Sequence, residues 1–250
     1  MKKTAKILCL VLALVMLLAL TACGSKKGYT IESGKLIMAT NAAFPPYEYT
    51  DDSGKIVGID VGIAQIIADK LGLKLEIDDI DFDAALLSVQ EGKADIVMAG
   101  VSVTDQRLLV MDFSDTYTTA VQSIIVKEGS EVTLDNLGEH LIGTVRGYTG
   151  NLYCTDDYGE DHVVAYDEGA SAVQALVNGQ VDCVVIDDAP AREFAAANPG
   201  LVVLDTEYAV EEYAIGFGKN NKELYTAVND ALKALIADGS VQKVIDSYIQ

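Results

Sequence analysis

The fold is decided by the stretch Asp83-Ala-Ala-Leu-Leu-Ser-Val-Gln-Glu-Gly-Lys-Ala-Asp-Ile-Val-Met-Ala-Gly100. Its first half has helical spacing with Asp83 as the expected N-cap, Gly92 is a helix stop, and residues 94–99 are typical of a buried strand. The same order returns in the stretch Ala170-Ser-Ala-Val-Gln-Ala-Leu-Val-Asn-Gly-Gln-Val-Asp-Cys-Val-Val-Ile-Asp187. A helix, a glycine stop and a buried strand that occur twice predict two similar α/β lobes.

The residues before this stretch alternate in the same way. Segments 36–39 and 73–77 are typical of strands, and segment 60–71 predicts a helix capped by Asp60 and stopped by Gly72. This βαβαβ order predicts a mostly parallel sheet with helices on both faces.

Beyond residue 120 the alternation starts again, with strands at 121–126, 141–145, 162–165, 181–186, 201–204 and 213–218 and helices at 150–156, 168–178, 189–197 and 222–249. In open α/β sheets, ligands bind beyond the carboxyl ends of strands. Gly100 and Asp187 stand at matching strand ends of the two repeats. If the lobes face each other, both residues border one cleft.

The N-terminus has the pattern of an export signal. Lys2, Lys3 and Lys6 precede an apolar run over residues 7–20, which is too short to span a bilayer as a mature helix. We therefore expect a signal peptide over residues 1–22. The following Leu20-Thr-Ala-Cys23 resembles the lipobox of bacterial lipoproteins, which implies that Cys23 is lipidated and that residues 23–29 form a tether. The alternative is an ordinary secretory peptide with an incidental cysteine.

The charge balance argues against a nucleic-acid partner. Formal net charge is −20, and it becomes −23 once the three lysines of the predicted signal peptide are removed. Such a surface repels phosphate backbones, so we expect no nucleic-acid partner.

In an exported chain Cys154 and Cys183 can form a disulfide, or they can be buried thiols.

Enzymatic and metal-binding patterns are sparse. The two histidines have no metal-ligand spacing, and no G-x-S-x-G nucleophile motif or P-loop occurs. We therefore expect no metal, no cofactor and no catalytic residue. The glycine-rich segment 143–150 is either a plain turn or a set of backbone N–H groups that hold a small anion at a helix start.

One segment offers the groups that a free amino acid requires. Residues 99–107 follow a buried strand. We expect an exposed backbone at Gly100, an available Ser102 hydroxyl, and the Arg107 side chain close to both, about one helical turn further along. The planar guanidinium of Arg107 suits an α-carboxylate, while Asp187 from the other lobe and the Gly100 carbonyl suit an α-ammonium. The alternatives are a solvated Arg107 and an Asp187 that caps the next helix.

The sequence resembles the polar amino-acid-binding proteins of bacterial ABC importers over residues 34–249. The resemblance rests on Ala39-Thr-Asn-Ala-Ala-Phe-Pro-Pro-Tyr-Glu48, Gly58-Ile-Asp-Val61, Gly92-Lys-Ala-Asp-Ile-Val97, Ser102-Val-Thr-Asp-Gln-Arg107, Asp112-Phe-Ser-Asp-Thr-Tyr117 and Asp182-Cys-Val-Val-Ile-Asp187. It implies an α/β, two-lobe periplasmic-binding-protein-like fold, with two Rossmann-like lobes and the ligand cleft between them. Two crossing strands near 117–121 and 210–214 would join lobe 1 (30–119 and 213–250) to lobe 2 (120–212).

The resemblance also implies a role for each site residue. Arg107 would bind the α-carboxylate and Asp187 the α-ammonium, with Ala99, Gly100 and Ser102 around the α-carbon. The second lobe would add the N–H groups of Thr149 and Gly150. Three further residues would surround the ligand side chain: Phe44, Phe82 and Arg146. Asn41 stands where many relatives have Asp, and with Arg146 it favours a neutral or acidic ligand such as glutamine or glutamate over lysine and arginine.

The implied function is ligand capture without chemistry. We expect an exported, monomeric solute-binding lipoprotein, anchored on the outer face of the cytoplasmic membrane, that delivers an amino acid to an ABC permease. Two alternatives remain: a dehydratase-like enzyme acting on small carboxylates on the same scaffold, and an amino-acid-sensing module for a membrane receptor.

Overall fold

The computed structural model describes residues 28–249. The predicted signal peptide and the lipidation site at Cys23 therefore lie outside the described residues. Within 28–249, none of the helices has the length and apolar character needed to span a bilayer.

The described chain alternates strands and helices along most of its length. The strands are β1 (Lys35–Thr40), β2 (Ala43–Phe44), β3 (Glu48–Thr50), β4 (Ile56–Val57), β5 (Lys74–Asp79), β6 (Ile96–Val97), β7 (Met111–Lys127), β8 (Ile142–Val145), β9 (Val163–Tyr166), β10 (Cys183–Asp187), β11 (Leu201–Val203) and β12 (Ala209–Gly218). The α-helices are α1 (Ile59–Leu71), α2 (Phe82–Gln90), α3 (Asp105–Val110), α4 (Thr149–Tyr158), α5 (Gly169–Val177), α6 (Asp188–Ala197), α7 (Lys222–Ala237) and α8 (Ser240–Tyr248).

A nine-stranded sheet runs through both lobes in the order β5-β1-β6-β12-β7-β10-β8-β9, with β11 paired to β7. In the first lobe β1 pairs in parallel with β5 and β6. In the second lobe β8 pairs in parallel with β9 and β10. The predicted parallel α/β unit is therefore present twice, and the two-lobe fold class is confirmed. The strands β2, β3 and β4 form a separate small antiparallel sheet.

Two long antiparallel strands carry the chain between the lobes. β7 and β12 pair from Gln122 and Ala209 at one end to Met111 and Gly218 at the other. The segments predicted to cross lie within this ladder, where Val210 is opposite Val121. The lobe boundaries at 119/120 and 212/213 stay a prediction.

The second lobe contains both described cysteines in its core. Cys154 and Cys183 are buried, unbonded thiols in a cluster with Ile124, Ile142 and Val185. Burial raises the pKa of each thiol to about 12. The structure therefore agrees with the buried-thiol alternative, and thiols with so high a pKa are poor nucleophiles at neutral pH.

The predicted N-caps were wrong. Helix α1 begins at Ile59 with Gly58 at the cap position, and the Asp60 carboxylate accepts hydrogen bonds from the Gly100 N–H and the Tyr117 hydroxyl instead. Helix α2 begins at Phe82, so Asp83 is inside its first turn. An acidic residue there still favours the helix, through the dipole rather than through a cap.

Candidate functional site

Nine residues from both lobes line one small cavity of about 200 Å³. This volume is below the ~300–1,000 Å³ of pockets for drug-sized ligands, so the cavity suits a small molecule. Eight of the predicted site residues and one further residue, Tyr148, form the lining, which consists of Phe44, Phe82, Ala99, Gly100, Ser102, Arg107, Tyr148, Thr149 and Asp187.

The first lobe supplies an apolar wall. Phe44 ends β2 and Phe82 starts α2, and both rings are buried. Gly100 follows β6 with φ of +56°, and a Cβ at this position would lie 2.6 Å from Phe44 Cε1. Only glycine fits both the left-handed backbone and the close approach of the ring.

Arg107 lies in the third residue position of α3 with its guanidinium inside the protein. Its backbone N–H is capped by the Thr104 hydroxyl at 3.2 Å, which fixes the start of the helix. Its Nη1 donates to the Ser102 carbonyl at 2.9 Å, and its Nη2 donates to the Gly147 carbonyl of the second lobe at 3.2 Å. The guanidinium carbon lies 5.3 Å from the centroid of the Phe82 ring, within cation–π range.

Among residues 28–249, no carboxylate oxygen lies within 4.0 Å of the Arg107 guanidinium, so this cation has no ion-pair partner there, although the residue is only 8% exposed. Burial lowers the pKa of Arg107, and the more distant charge of Glu211 opposes that effect. A buried cation of this kind favours an anion that the protein does not itself provide.

Asp187 ends β10 and is buried on the other side of the cavity. Its Oδ1 accepts a hydrogen bond from the Tyr213 hydroxyl. Burial, and next the negative charge of Glu211, raise the pKa of Asp187 to about 7. Asp187 occupies the cap position of α6 but makes no side-chain capping bond, so its carboxylate is directed to the cavity side rather than to the helix.

Thr149 begins helix α4, and its hydroxyl belongs to a buried polar network. Thr149 Oγ1 donates to Glu211 Oε2 at 3.0 Å, and Gln122 Nε2 donates to the same oxygen at 2.8 Å. The first N–H groups of a helix have no acceptor within the helix. Those of Thr149 and Gly150 therefore remain suitable donors for an anion, although Gly150 itself does not line the cavity.

Sequence reasoning missed Tyr148. It lies in the glycine-rich loop of the second lobe, yet its ring packs against both Phe44 and Phe82 of the first lobe. A tyrosine beside glycines carries no sequence signal for such a contact.

Two further predicted residues lie outside the lining. Asn41 borders the cavity through Tyr148, whose hydroxyl donates to Asn41 Oδ1 at 3.5 Å. Arg146 has a side chain that is 61% exposed and bonds to Asp167 at 3.5 Å and to the Ala165 carbonyl at 3.3 Å. The local partners on β9 and after it hold the guanidinium at the surface, so the structure does not bring Arg146 to the ligand cavity.

Other features of residues 28–249 do not compete with this cavity. No group of three or more His, Cys, Asp or Glu side chains in that range is arranged to hold a metal ion. A larger depression of about 530 Å³ lies beside Asp95 and Phe217. There the Asp95 carboxylate already accepts from the N–H groups of Ile31 and Ile37.

Comparisons with known proteins agree with the geometry. The family described as bacterial extracellular solute-binding proteins, family 3, matches residues 36–250. The arginine-binding extracellular protein ArtP of Bacillus subtilis is 32% identical, with 96% of each chain covered. A probable histidine-binding protein of Neisseria gonorrhoeae is 31% identical over 92% of this chain and 91% of its own length.

A solved structure shows the same fold. An ancestral arginine-binding protein bound to glutamine superposes with a TM-score of 0.82 at 36% identity, covering 87% of this chain and 99% of its own. The relatives named here are binding proteins rather than enzymes. Fold, cavity and family match together show that the chain belongs to the bacterial extracellular solute-binding proteins, family 3.

Proposed function

We propose that this protein captures one free amino acid between its two lobes outside the cytoplasmic membrane and delivers it to an ABC importer. Arg107 binds the α-carboxylate, with help from the N–H groups of Thr149 and Gly150. Asp187 binds the α-ammonium together with the Gly100 carbonyl. The two charges come from different lobes, so the ligand favours the closed arrangement, because only there does it contact both.

The observation that carries this proposal is the guanidinium of Arg107. It is buried, it faces a small cavity, and no described carboxylate neutralises it. Burying a cation without a partner is costly, and a planar carboxylate matches the guanidinium fork. Asp187 supports binding of a cationic group in the same way, because its carboxylate is buried and its pKa is raised to about 7.

The side chain of the ligand is a separate question. The names of the relatives do not support the expected preference for glutamine or glutamate over lysine and arginine, because ArtP is named for arginine and another relative for histidine. The second argument for that preference was the positive charge of Arg146, and this side chain lies outside the cavity lining.

The test of the site is the substitution Arg107→Ala. Truncating a buried, hydrogen-bonded charge at a binding site costs about 2–5 kcal/mol, so we expect the affinity for the preferred amino acid to fall at least about thirtyfold. Isothermal titration calorimetry against a panel of the twenty amino acids measures this, once the wild-type ligand has been identified by thermal shift. Arg107→Lys keeps the charge but loses the fork, and we expect an intermediate loss.

The matched control is Arg192→Ala. Arg192 is an exposed arginine on α6 whose side chain pairs with Asp188 at 2.9 Å, so its removal changes the net charge equally without reaching the cavity. We expect unchanged affinity in this variant. Equal affinity in wild type and Arg107→Ala, with both folded by circular dichroism, would refute the assignment.

The proposal extends to the cellular setting. Export agrees with the extracellular family description, and lipid anchoring through Cys23 rests on the N-terminal sequence. Radiolabelled palmitate incorporation that is lost in Cys23→Ala tests the anchor. An enzyme on this scaffold would turn over its ligand, whereas a binding protein returns it unchanged after denaturation, which chromatography of the released ligand decides.

A further inference from the structure

Tyr148 places its ring between the two phenylalanine rings of the first lobe. The ring centroid lies 5.3 Å from that of Phe44, in an edge-on contact, and 4.6 Å from that of Phe82, tilted by 58°. The side chain is buried, and its hydroxyl reaches Asn41 Oδ1. Tyr148 thus fills the interval between Phe44 and Phe82, and all three rings line the cavity in which the proposed function places the amino acid.

The backbone of Tyr148 is fixed to the second lobe. Its N–H donates to the Val145 carbonyl at 3.1 Å, and its own carbonyl accepts from the N–H groups of Asn151 and Leu152 at the start of α4. The preceding Gly147 has φ of +77°, which fixes the direction of the loop. The ring therefore leaves the interval only by side-chain rotation or by separation of the lobes.

The ring and a long ligand side chain compete for one space. Closure over an arginine or a lysine requires the Tyr148 ring to rotate away, which breaks two aromatic contacts and exposes a large apolar surface. Closure over alanine or serine leaves the ring in place. The charged groups that would bind the α-carboxylate and α-ammonium, Arg107 and Asp187, are equally available in both cases.

Resting on the proposed amino-acid binding, we propose that Tyr148 is a specificity-determining residue, whose ring closes the compartment between Phe44 and Phe82 and selects amino acids with short side chains against long ones. The occupant of this site would then be a small zwitterion such as alanine or serine. In this respect the protein would differ from the relatives named for arginine and histidine.

The experiment compares wild type, Tyr148→Ala and Tyr148→Phe by isothermal titration calorimetry with alanine, serine, glutamine, histidine, lysine and arginine. We expect wild type to bind alanine or serine more tightly than arginine. In Tyr148→Ala the ratio of the Kd for arginine to the Kd for alanine should fall at least about tenfold, because the interval is open. Tyr148→Phe keeps the ring and should keep the wild-type ratio, which separates the ring from its hydrogen bond to Asn41.

Three results would overturn the proposal: a wild-type preference for arginine over alanine, an unchanged ratio in Tyr148→Ala, or a larger loss for arginine than for alanine in that variant. The last result would mean that the ring stacks on the ligand. If circular dichroism shows that Tyr148→Ala is unfolded, Tyr148→Leu tests the same ratio with a smaller opening. Absence of any amino-acid binding by wild type would refute the proposed function itself, whereas the three results above leave it standing.

Discussion

Two opposite charges are buried on either side of the same cavity without forming an ion pair with each other. The Arg107 guanidinium donates hydrogen bonds to two backbone carbonyls, and the Asp187 carboxylate accepts one from the Tyr213 hydroxyl. The separation of these groups leaves one charge for each end of a zwitterion. It also makes binding depend on the protonation of Asp187, whose pKa is raised to about 7 by burial and by Glu211.

Affinity should therefore depend on pH. In the proposed complex an ammonium group binds the ionised form of Asp187 and lowers its pKa, so below about pH 7 the carboxyl would have to release a proton before the ligand binds. We expect the affinity to fall by up to about tenfold for each pH unit between pH 7 and pH 5. Calorimetry in two buffers of different ionisation enthalpy should also detect proton release near pH 6.

The comparison for this prediction is Asp187→Asn. The amide cannot titrate, so its affinity should be weak and nearly constant between pH 5 and pH 7. A wild-type affinity that is equally constant over this range would show that Asp187 does not contact the ammonium.

Single residues were predictable where a strand end or a motif determined their place. Arg107 and Gly100 follow from one short segment, and both line the cavity. The surface position of Arg146 was not predictable, because its partners, Asp167 and the Ala165 carbonyl, come from β9 and the residues just after it, about twenty positions away in sequence. Tyr148 was not predicted, because its contact with Phe82 depends on how two lobes meet and not on any local pattern.

At the scale of elements, Asp60 joins three pieces of the first lobe. This residue lies in the first turn of α1, and its carboxylate accepts from the Gly100 N–H at 2.9 Å after β6 and from the Tyr117 hydroxyl at 2.7 Å on β7. Because Gly100 lines the cavity, the connection positions part of the cavity wall as well as the elements.

Removing this connection should destabilise the protein. Asp60→Ala leaves the partly buried Gly100 N–H and the buried Tyr117 hydroxyl without acceptors, and an unsatisfied buried group costs about 1–3 kcal/mol. Urea unfolding at pH 7 should show a loss of about 2–4 kcal/mol. The control is Asp69→Ala on the same helix, where an exposed carboxylate bonds only to the Gln65 side chain and the change should stay within about 0.5 kcal/mol. Equal stability of both variants would contradict the role of Asp60.

Elements were predictable to the extent that hydrophobic period determines them. The helices near 168–178 and 189–197 appear as α5 and α6 with bounds shifted by a residue or so. The full length of β7 was not predicted. The part that pairs with β12 contains polar and exposed residues, so it lacks the apolar pattern of a buried strand. The N-cap at Asp60 was wrong because a partner forty residues away in sequence takes the carboxylate.

The whole molecule is acidic at the surface and also holds carboxyl groups in its interior. Glu48, Asp60 and Asp187 are buried, and burial raises the pKa of each, to about 6 for Asp60 and about 7 for Asp187. The folded state therefore retains protons that the unfolded chain has released by pH 5 or 6. A net charge of −20 adds self-repulsion that grows as acids ionise.

Stability should accordingly fall as pH rises. Because these folded-state pKa values exceed the unfolded ones, the folded protein binds more protons between about pH 4 and pH 7, and the free energy of unfolding decreases through that range. We expect a decrease on the order of 2–4 kcal/mol between pH 5 and pH 8, measured by urea unfolding without added amino acid. The double variant Asp60→Asn, Asp187→Asn should flatten the curve, and a wild type that is more stable at pH 8 would contradict the prediction.

The position of β12, α7 and α8 in the fold affects the order in which the two lobes can fold during synthesis. β12 pairs with β6, and Leu224, Val228 and Leu232 of α7 are buried in the same core as Leu36 of β1. By contrast, the pairs among β8, β9 and β10 use residues between Ile142 and Asp187. During synthesis from the N-terminus, the parallel strands β8, β9 and β10 can therefore pair before β12 and α7 have been made. The first lobe stays incomplete until β12, α7 and α8 have been made as well.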